Sequence, residues 1–438
     1  MQVEWKQKLL GGLRALREKG FFHIIAGSTL AKIASFVSVI FLPRFLASKA
    51  DYGLLAYVDN IRNYIMLANG LGIANATLRF CAQSDSDASK KGYFLASLYI
   101  GVGADVVIIL GSIAVFWAVP FQYDGSNRLL LLSSVLPLFY FLFNDIQLLL
   151  RATFQNQKYS VFSFAYSFLL MVFQIGFAVV WGVDGVIWGR YVALGLCLVM
   201  GLWLIRDLPL MKVKAELPDR HMMWGLIKFG IVMLTASAAS LVMNYNETTI
   251  VSWLIRDAEL LSEYKVAANI LPISLFVLEA VLVFILPYFI QHLNDKRWIW
   301  ENYKKLMLIN GAVMTVIHLG LFVLADFYVP ILWGKQYASA APMVRMFLIA
   351  SLIQSVFRGL AGNILAVTGE ENFNLKINIV CVVIHAVVDV VAIKTFGIMG
   401  AAVALIVVYF ISGLIMNLHL RNICKNAIAE ESNHHDEE

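Results

Sequence analysis

Five of the basic residues that lie inside long apolar segments of the sequence are candidates for binding a ligand, because an unpaired charge is costly there. These residues are Lys32, Arg62, Arg190, Arg345 and Arg358. At the centre of a bilayer each charge costs about 2.5–3.5 kcal/mol, so these side chains are expected to face protein or a water-filled cavity. Guanidinium groups bind phosphate oxygens in pairs of hydrogen bonds, and lysine supplies a compact charge. The sequence therefore predicts a cationic cavity that binds an anionic, phosphate-bearing ligand.

The depth and the neighbours of these residues refine the prediction. Lys32, Arg62 and Arg358 lie deep in their segments, whereas Arg190 and Arg345 lie nearer the outer ends, where long side chains can extend to the interface. Asp59 precedes Arg62 by three residues, so the two side chains share a helical face and can pair. The alternative interpretation of Arg62 is therefore an ion pair that fastens its helix to a neighbour.

Four acidic residues in the apolar segments are candidates for coupling transport to an ion. They are Glu279, Asp59, Glu247 and Asp389. A carboxyl group removed from water can exchange a proton during a transport cycle. Glu279 is the best candidate, because no basic residue lies within one helical turn of it. The alternative for Glu279 is a hydrogen bond to a neighbouring helix or an ion pair with an arginine such as Arg358.

The composition shows which elements position these residues. The 438 residues are 60% hydrophobic and 14% charged, with a mean hydropathy of +0.75, whereas soluble domains have about a quarter charged residues. Apolar segments of membrane-spanning length recur along the chain, which indicates an all-α polytopic membrane protein. We predict about twelve spans, at residues 24–46, 54–78, 92–119, 129–150, 160–181, 185–205, 224–255, 265–290, 306–329, 343–367, 377–396 and 398–420.

The distribution of lysine and arginine predicts the orientation of these spans. One side of the membrane receives roughly four times as many basic residues as the other, which by the positive-inside rule places both termini in the cytoplasm. The predicted organisation is a basic segment (1–23), a first lobe of six helices (24–208), a cytoplasmic linker (209–222), a second lobe of six helices (223–420) and a cytoplasmic tail (421–438).

The two predicted lobes carry an internal repeat. The segment ADYGLLAYV (50–58) is echoed by SEYKVAANI (262–270), and Gly182 and Gly185 correspond to Gly397 and Gly400. Both comparisons imply an offset of a little over two hundred residues. Because the repeat contains an even number of helices, both copies have the same orientation, as in transporters whose parallel repeats are related by an axis along the membrane normal.

These segments resemble the Wzx-like polysaccharide flippases of the multidrug/oligosaccharidyl-lipid/polysaccharide (MOP) exporter superfamily. The resemblance rests on GSTLAKIASFVSVIFLPRFLASKADYGLLAY, which looks like that family's first helix and the start of its second, and on LANGLGIANATLRF, ILWGKQYASAAPMVRMF and FGIMGAAVALIVVY. It covers nearly the whole chain with short motifs, and it implies a MOP/MATE-like fold.

The resemblance also implies a function. Such proteins move an undecaprenyl-pyrophosphate-linked oligosaccharide, an O-antigen or another surface-polysaccharide repeat unit, from the cytoplasmic to the periplasmic leaflet of the bacterial inner membrane. Alternating access between the lobes, coupled to H⁺ or Na⁺, would drive this movement. A polysaccharide polymerase and the chain-length machinery are the expected protein partners, and neither a cofactor nor a nucleic acid is expected.

Two other functions remain open. A multidrug or cation antiporter of the same superfamily is the first alternative, but cationic drugs favour an acidic, aromatic cavity and the deep basic residues argue against one. A membrane-embedded polysaccharide polymerase or glycosyltransferase is a remote second alternative. The external connections are short and carry no paired catalytic residues, so we do not expect an enzyme.

Overall fold

The computed structural model describes residues 21–436, except for the side chains of 21–26, 28, 236–240, 243–244, 273–274, 280, 283, 371 and 428–436. Within this range the chain forms helices and connecting turns without a β-strand. Residues 1–20, which hold most of the predicted basic segment, lie outside the described part. The described part therefore agrees with the all-helical class that the composition predicts.

The chain divides into two compact units at Val242 and Met243, a boundary that falls within one long helix. The helices of the first unit are α1 (Phe21–Phe45), α2 (Lys49–Leu67), α3 (Ala74–Gln83), α4 (Asp87–Ala118), α5 (Ser126–Ser133), α6 (Leu136–Ala152), α7 (Asn156–Arg206), α8 (Pro209–Lys212) and the first part of α9 (Arg220–Ile255). The predicted lobes, 24–208 and 223–420, remain a prediction.

The second unit contains the rest of α9 and eight further helices. These are α10 (Ala258–Ala268), α11 (Ile270–Gln291), α12 (Lys296–Val323), α13 (Ala325–Leu332), α14 (Ala341–Ile353), α15 (Gly359–Val367), α16 (Glu371–Phe396) and α17 (Met399–Asp436). A short 3₁₀ helix precedes α14, and a π-helical turn joins α14 to α15. The helix α17 continues through most of the predicted cytoplasmic tail.

Within the described residues, eight helices are long and apolar enough to cross a membrane, or nine if one bent pair counts as a single span. That pair is α2 with the segment Asn69–Gln83, and its two parts meet at 44°. The helix α7 is 51 residues long and contains both the fifth and the sixth predicted spans. The chain is therefore a multi-pass membrane protein, and the count of twelve remains a prediction.

The second span begins and breaks at well-defined residues. Ser48 and Asp51 form a capping box at the start of α2, in which each side chain accepts a hydrogen bond from the other's backbone N–H at 3.1 Å. At the other end, Gly70 and Leu71 adopt left-handed backbone angles, with φ of 53° and 51°. The buried carboxylate of Asp105 accepts the Gly70 N–H at 2.7 Å, which satisfies a donor that the break leaves without a helical acceptor.

Corresponding glycines shape a tight helical hairpin in each unit. Gly182 in α7 has φ 58° and ψ −137°, and Gly397, between α16 and α17, has φ 61° and ψ −149°. A Cβ atom on Gly185 would lie 2.0 Å from the carbonyl oxygen of Phe177, and one on Gly400 would lie 2.2 Å from that of Ala392. The paired glycines of the predicted repeat therefore have the same backbone conformation and the same close approach.

The linker before α9 is bound to the first unit. Lys91 Nζ donates hydrogen bonds to the carbonyl oxygens of residue 211 and Val213, at 3.0 and 2.8 Å. The Glu216 N–H donates to the carbonyl oxygen of Ala88 at 3.0 Å. Residues 209–216, which we call the strap, are thus fastened to the start of α4.

Candidate functional site

A buried ion cluster lies between three helices of the first unit. Arg190 on α7 donates hydrogen bonds from both terminal nitrogens to the two carboxylate oxygens of Asp59 on α2, at 2.5 and 2.7 Å. Its Nε donates to Gln174 Oε1 at 2.9 Å, and Gln174 Nε2 donates to Ser38 Oγ on α1 at 3.2 Å. Arg190 is only 6% exposed. The expectation that it extends towards the interface is therefore wrong, because Asp59 holds it in the interior.

Arg62 adds a second positive charge to this cluster. Its Nη1 lies 3.0 Å from Asp59 Oδ1, which confirms the pairing predicted from their spacing. The alignment is poor, and neither Nη1 nor Nε of Arg62 has a hydrogen-bond partner in the described part of the chain, although both atoms are buried. One carboxylate thus faces two guanidinium groups. Because buried donors are normally satisfied, this arrangement can accept a further anion.

Tyrosine rings border the same cluster. Tyr140 on α6 and Tyr166 on α7 have ring centroids 6.2 Å apart, and Tyr166 interacts electrostatically with both Arg62 and Arg190. Sequence reasoning did not select these tyrosines or Gln174. An amide in the middle of an apolar span was a usable signal for Gln174, whereas the tyrosines resemble ordinary packing residues in the sequence.

A second buried cluster, in the second unit, is acidic. Glu247 on α9 and Asp389 on α16 interact electrostatically, and both are buried. Neither carboxylate oxygen of Asp389, nor Oε1 of Glu247, has a hydrogen-bond partner in the described part. Tyr264 is hydrogen-bonded to Glu247, and His385 Nε2 lies 3.5 Å from Asp389 Oδ2. The structure therefore brings together two of the four acids predicted for ion coupling.

A basic residue also lies near the acidic cluster, since Lys265 interacts electrostatically with Glu247. Among the described residues, no group of three or more His, Cys, Asp and Glu side chains lies close enough to hold a metal ion. The cluster offers three carboxylate oxygens that have no hydrogen-bond partner in the described part, two on Asp389 and one on Glu247, beside the hydroxyl of Tyr264.

Arg358 lies in the second unit at the π-helical turn Gln354–Arg358. Its two terminal nitrogens donate to Gln354 Oε1 at 3.2 Å and to Asn378 Oδ1 at 2.8 Å, and its guanidinium lies 5.4 Å from the ring centroid of Tyr409. Its Nε is buried without a hydrogen-bond partner in the described part. Tyr409 also interacts electrostatically with Glu247 and Asp389. His385, which lies 3.5 Å from Asp389, interacts with Arg358. Arg358 therefore lies beside the acidic cluster.

Three predicted site residues remain to be described. Arg345, near the start of α14, donates hydrogen bonds to Asp326 and to a backbone carbonyl at 2.5 and 3.1 Å. Lys32 has an exposed side chain on α1, and Glu279 has an exposed side chain on α11. The structure thus groups Arg62 with Arg190 in the first unit.

The polysaccharide biosynthesis protein family matches residues 41–342 of the chain. An uncharacterized membrane protein of Methanocaldococcus jannaschii is 22% identical over 438 residues, covering 93% of this chain and 83% of its own length. The lipopolysaccharide biosynthesis protein WzxC of Escherichia coli K12 is 23% identical over 190 residues, covering 43% of this chain and 38% of its own length.

Two solved structures share the fold at low sequence identity. The lipid II flippase MurJ in an inward closed conformation has a TM-score of 0.72 and 11% identity, covering 93% of this chain and 90% of that chain. A multidrug resistance MATE family transporter in an inward-facing conformation has a TM-score of 0.69 and 14% identity, covering 92% and 95%. The chain therefore belongs to the polysaccharide biosynthesis protein family, and its fold is similar to that of a transporter of the MOP superfamily.

Proposed function

We propose that the protein is a flippase for an undecaprenyl-pyrophosphate-linked oligosaccharide. The cargo is an O-antigen or another surface-polysaccharide repeat unit, which moves from the cytoplasmic to the periplasmic leaflet of the inner membrane by alternating access. Both termini lie in the cytoplasm in this proposal, and a polysaccharide polymerase with its chain-length machinery uses the cargo after its release.

One observation carries the proposal: a buried cluster in which Arg62 and Arg190 outnumber their shared carboxylate, Asp59. A buried charge is stable only when it is paired and hydrogen-bonded. The unsatisfied donors of Arg62 match the oxygens of a pyrophosphate, which carries concentrated negative charge and accepts several hydrogen bonds at once. A cationic drug would instead be repelled by the excess positive charge, which disfavours the antiporter.

Arg358 is a further candidate for binding an anionic cargo, in the second unit, because its hydrogen-bond partners in the described part, Gln354 and Asn378, are neutral. Glu247 and Asp389 are better candidates for ion coupling than the other two acids. Asp59 serves as the counterion of two arginines, and Glu279 is exposed on α11. In this proposal, H⁺ or Na⁺ binding neutralises the repulsion between Glu247 and Asp389.

The test of the proposal is complementation in a strain that lacks the gene. Deletion should remove the surface polysaccharide and leave lipid-linked repeat units on the cytoplasmic leaflet. Arg62→Gln should abolish complementation at unchanged membrane abundance, because the neutral amide cannot hold a pyrophosphate. Arg297→Gln is the matched control, since Arg297 also forms an ion pair, with Glu301 at 3.4 Å, but is exposed.

Three results would contradict the proposal. The first is a normal surface polysaccharide in the deletion strain, and the second is full export by the Arg62→Gln variant. The third is that drug resistance depends on the gene while the amount of surface polysaccharide does not depend on it. The last result would instead support the antiporter.

Ion coupling has a separate test in reconstituted vesicles that contain the labelled lipid-linked repeat unit. Asp389→Asn should abolish the dependence of flipping on a Na⁺ or H⁺ gradient, whereas Glu301→Gln, which changes an exposed carboxylate, should retain it. Equal gradient dependence in the two variants would exclude Asp389 from coupling. It would leave the role of Arg62 unaffected, so the two parts of the proposal can fail separately.

A further inference from the structure

A groove of about 750 Å³ lies on the first unit, at the turn that Gly182 makes within α7. It lies apart from the Asp59 cluster, because Arg190, two residues beyond Trp188, is buried on another side of the same helix. Its lining residues are Arg128, Leu132, Phe177, Trp181, Asp184, Trp188 and Val192.

The exposed aromatic residues of the groove indicate that it faces the lipid of the membrane. Trp181 and Trp188 are 57% and 50% exposed. Along α7, exposed apolar residues continue from Trp188 through Leu196 and Val199 to Trp203, at intervals of three, four or eight residues that place them on one side of the helix. An exposed apolar side of a membrane-spanning helix faces lipid, and tryptophan prefers the level of the lipid headgroups.

The polar end of the groove carries one charge of each sign. Arg128 Nη1 donates to Asp184 Oδ2 at 2.7 Å, with the Arg128 side chain 68% exposed and that of Asp184 30% exposed. Four of the five guanidinium N–H donors are not used in this hydrogen bond. Asp184 Oδ1 is buried and has no hydrogen-bond partner in the described part of the chain. Arg128 can therefore donate hydrogen bonds to an anion, and Asp184 can accept one from a cation.

We propose that this groove binds a phospholipid whose headgroup contains both a phosphate and a primary ammonium, as in phosphatidylethanolamine. Arg128 binds the phosphate, Asp184 accepts a hydrogen bond from the ammonium, and an acyl chain lies between Trp181 and Trp188. An anionic lipid without an amine leaves the Asp184 carboxylate without a hydrogen-bond donor. The negative charges of its headgroup and of Asp184 also repel each other. A quaternary ammonium has no N–H to donate to the carboxylate, so phosphatidylcholine fits less well.

Quenching of tryptophan fluorescence by brominated lipids tests this site directly. The full chain is reconstituted in phosphatidylcholine vesicles with increasing fractions of phosphatidylethanolamine, phosphatidylglycerol or phosphatidylcholine that carries brominated acyl chains. A Trp181→Phe/Trp188→Phe variant keeps aromatic walls in the groove and reports the quenching of all other tryptophans, which is subtracted. We expect the two groove tryptophans to select brominated phosphatidylethanolamine over the other two lipids by about tenfold.

The charge variants determine whether the headgroup is recognised. Asp184→Asn should remove the preference over phosphatidylcholine, and Arg128→Gln should weaken all three lipids while protein folding is monitored by circular dichroism. Equal quenching by the three lipids in the wild type would overturn the proposal, as would a preference for phosphatidylglycerol. An undiminished preference for phosphatidylethanolamine in the Arg128→Gln/Asp184→Asn variant would also overturn it. None of these results depends on the cargo of the Asp59 cluster.

Discussion

The Asp59 cluster predicts an unequal effect of its members on stability. Asp59→Asn leaves Arg62 and Arg190 facing each other without a counterion, and removing one partner of a buried pair costs about 3–5 kcal/mol. Because the Asp59 side chain is 24% exposed, we expect the lower end, about 3 kcal/mol. Arg190→Gln leaves the carboxylate paired with Arg62, so only the hydrogen bonds of Arg190 are lost, at about 1.5–2 kcal/mol.

The apparent melting temperatures of the variants in detergent, measured at one scan rate, show which substitution destabilises the protein more. One kcal/mol corresponds to about 2 °C or less in a chain of this size, so Asp59→Asn should melt up to about 6 °C below the wild type and Arg190→Gln up to about 4 °C below. Asp326→Asn is the control, because the Asp326 side chain is 73% exposed in its ion pair with Arg345. Loss of an exposed ion pair should lower the free energy of unfolding by about 1 kcal/mol or less. A larger loss for Arg190→Gln than for Asp59→Asn would refute the reasoning.

Three further predictions concern contacts of the backbone, two at glycines and one at a hydrogen bond, and they use the same melting assay. Gly185→Ala and Gly400→Ala should each destabilise the protein by about 1–3 kcal/mol, because the new methyl group meets a carbonyl oxygen. Gly176→Ala, where a Cβ meets nothing within 4 Å, should instead stabilise α7 by about 0.5–1 kcal/mol; the same sign at all three glycines would contradict this account. Asp105→Asn should cost about 1–2 kcal/mol, because the Gly70 N–H loses a charged acceptor, and an unchanged melting temperature would show that this contact does not hold the break.

The helical class, the repeat and the pairing of Asp59 with Arg62 could be predicted from the sequence. Hydropathy reports on burial in lipid, and helical periodicity reports on neighbours within a few residues. The bond from Arg190 to Asp59 joins residues 131 positions apart, and local periodicity contains no information about such a contact. Arg190 was therefore predicted to extend to the interface although its partner lies inside the unit.

The break at Gly70 was also beyond sequence reasoning, since the predicted span 54–78 runs through it. The break at Gly182, in contrast, falls between the predicted spans 160–181 and 185–205. The acidic pair illustrates the same limit, since Glu247 and Asp389 lie on different helices. Glu279 was preferred because it has no basic neighbour in sequence, but its exposure depends on tertiary packing.

The strap determines how freely the connection to α9 can move. The Glu216 N–H is hydrogen-bonded to the backbone of α4, and α9 begins at Arg220. Three residues, Leu217, Pro218 and Asp219, therefore connect the strap to α9. Three residues reach about 10 Å when fully extended, so the linker behaves as a short tether. A flexible insertion after Leu217 would lengthen that tether, whereas the same insertion at residue 212 would fall inside the bound stretch and leave the tether's reach unchanged.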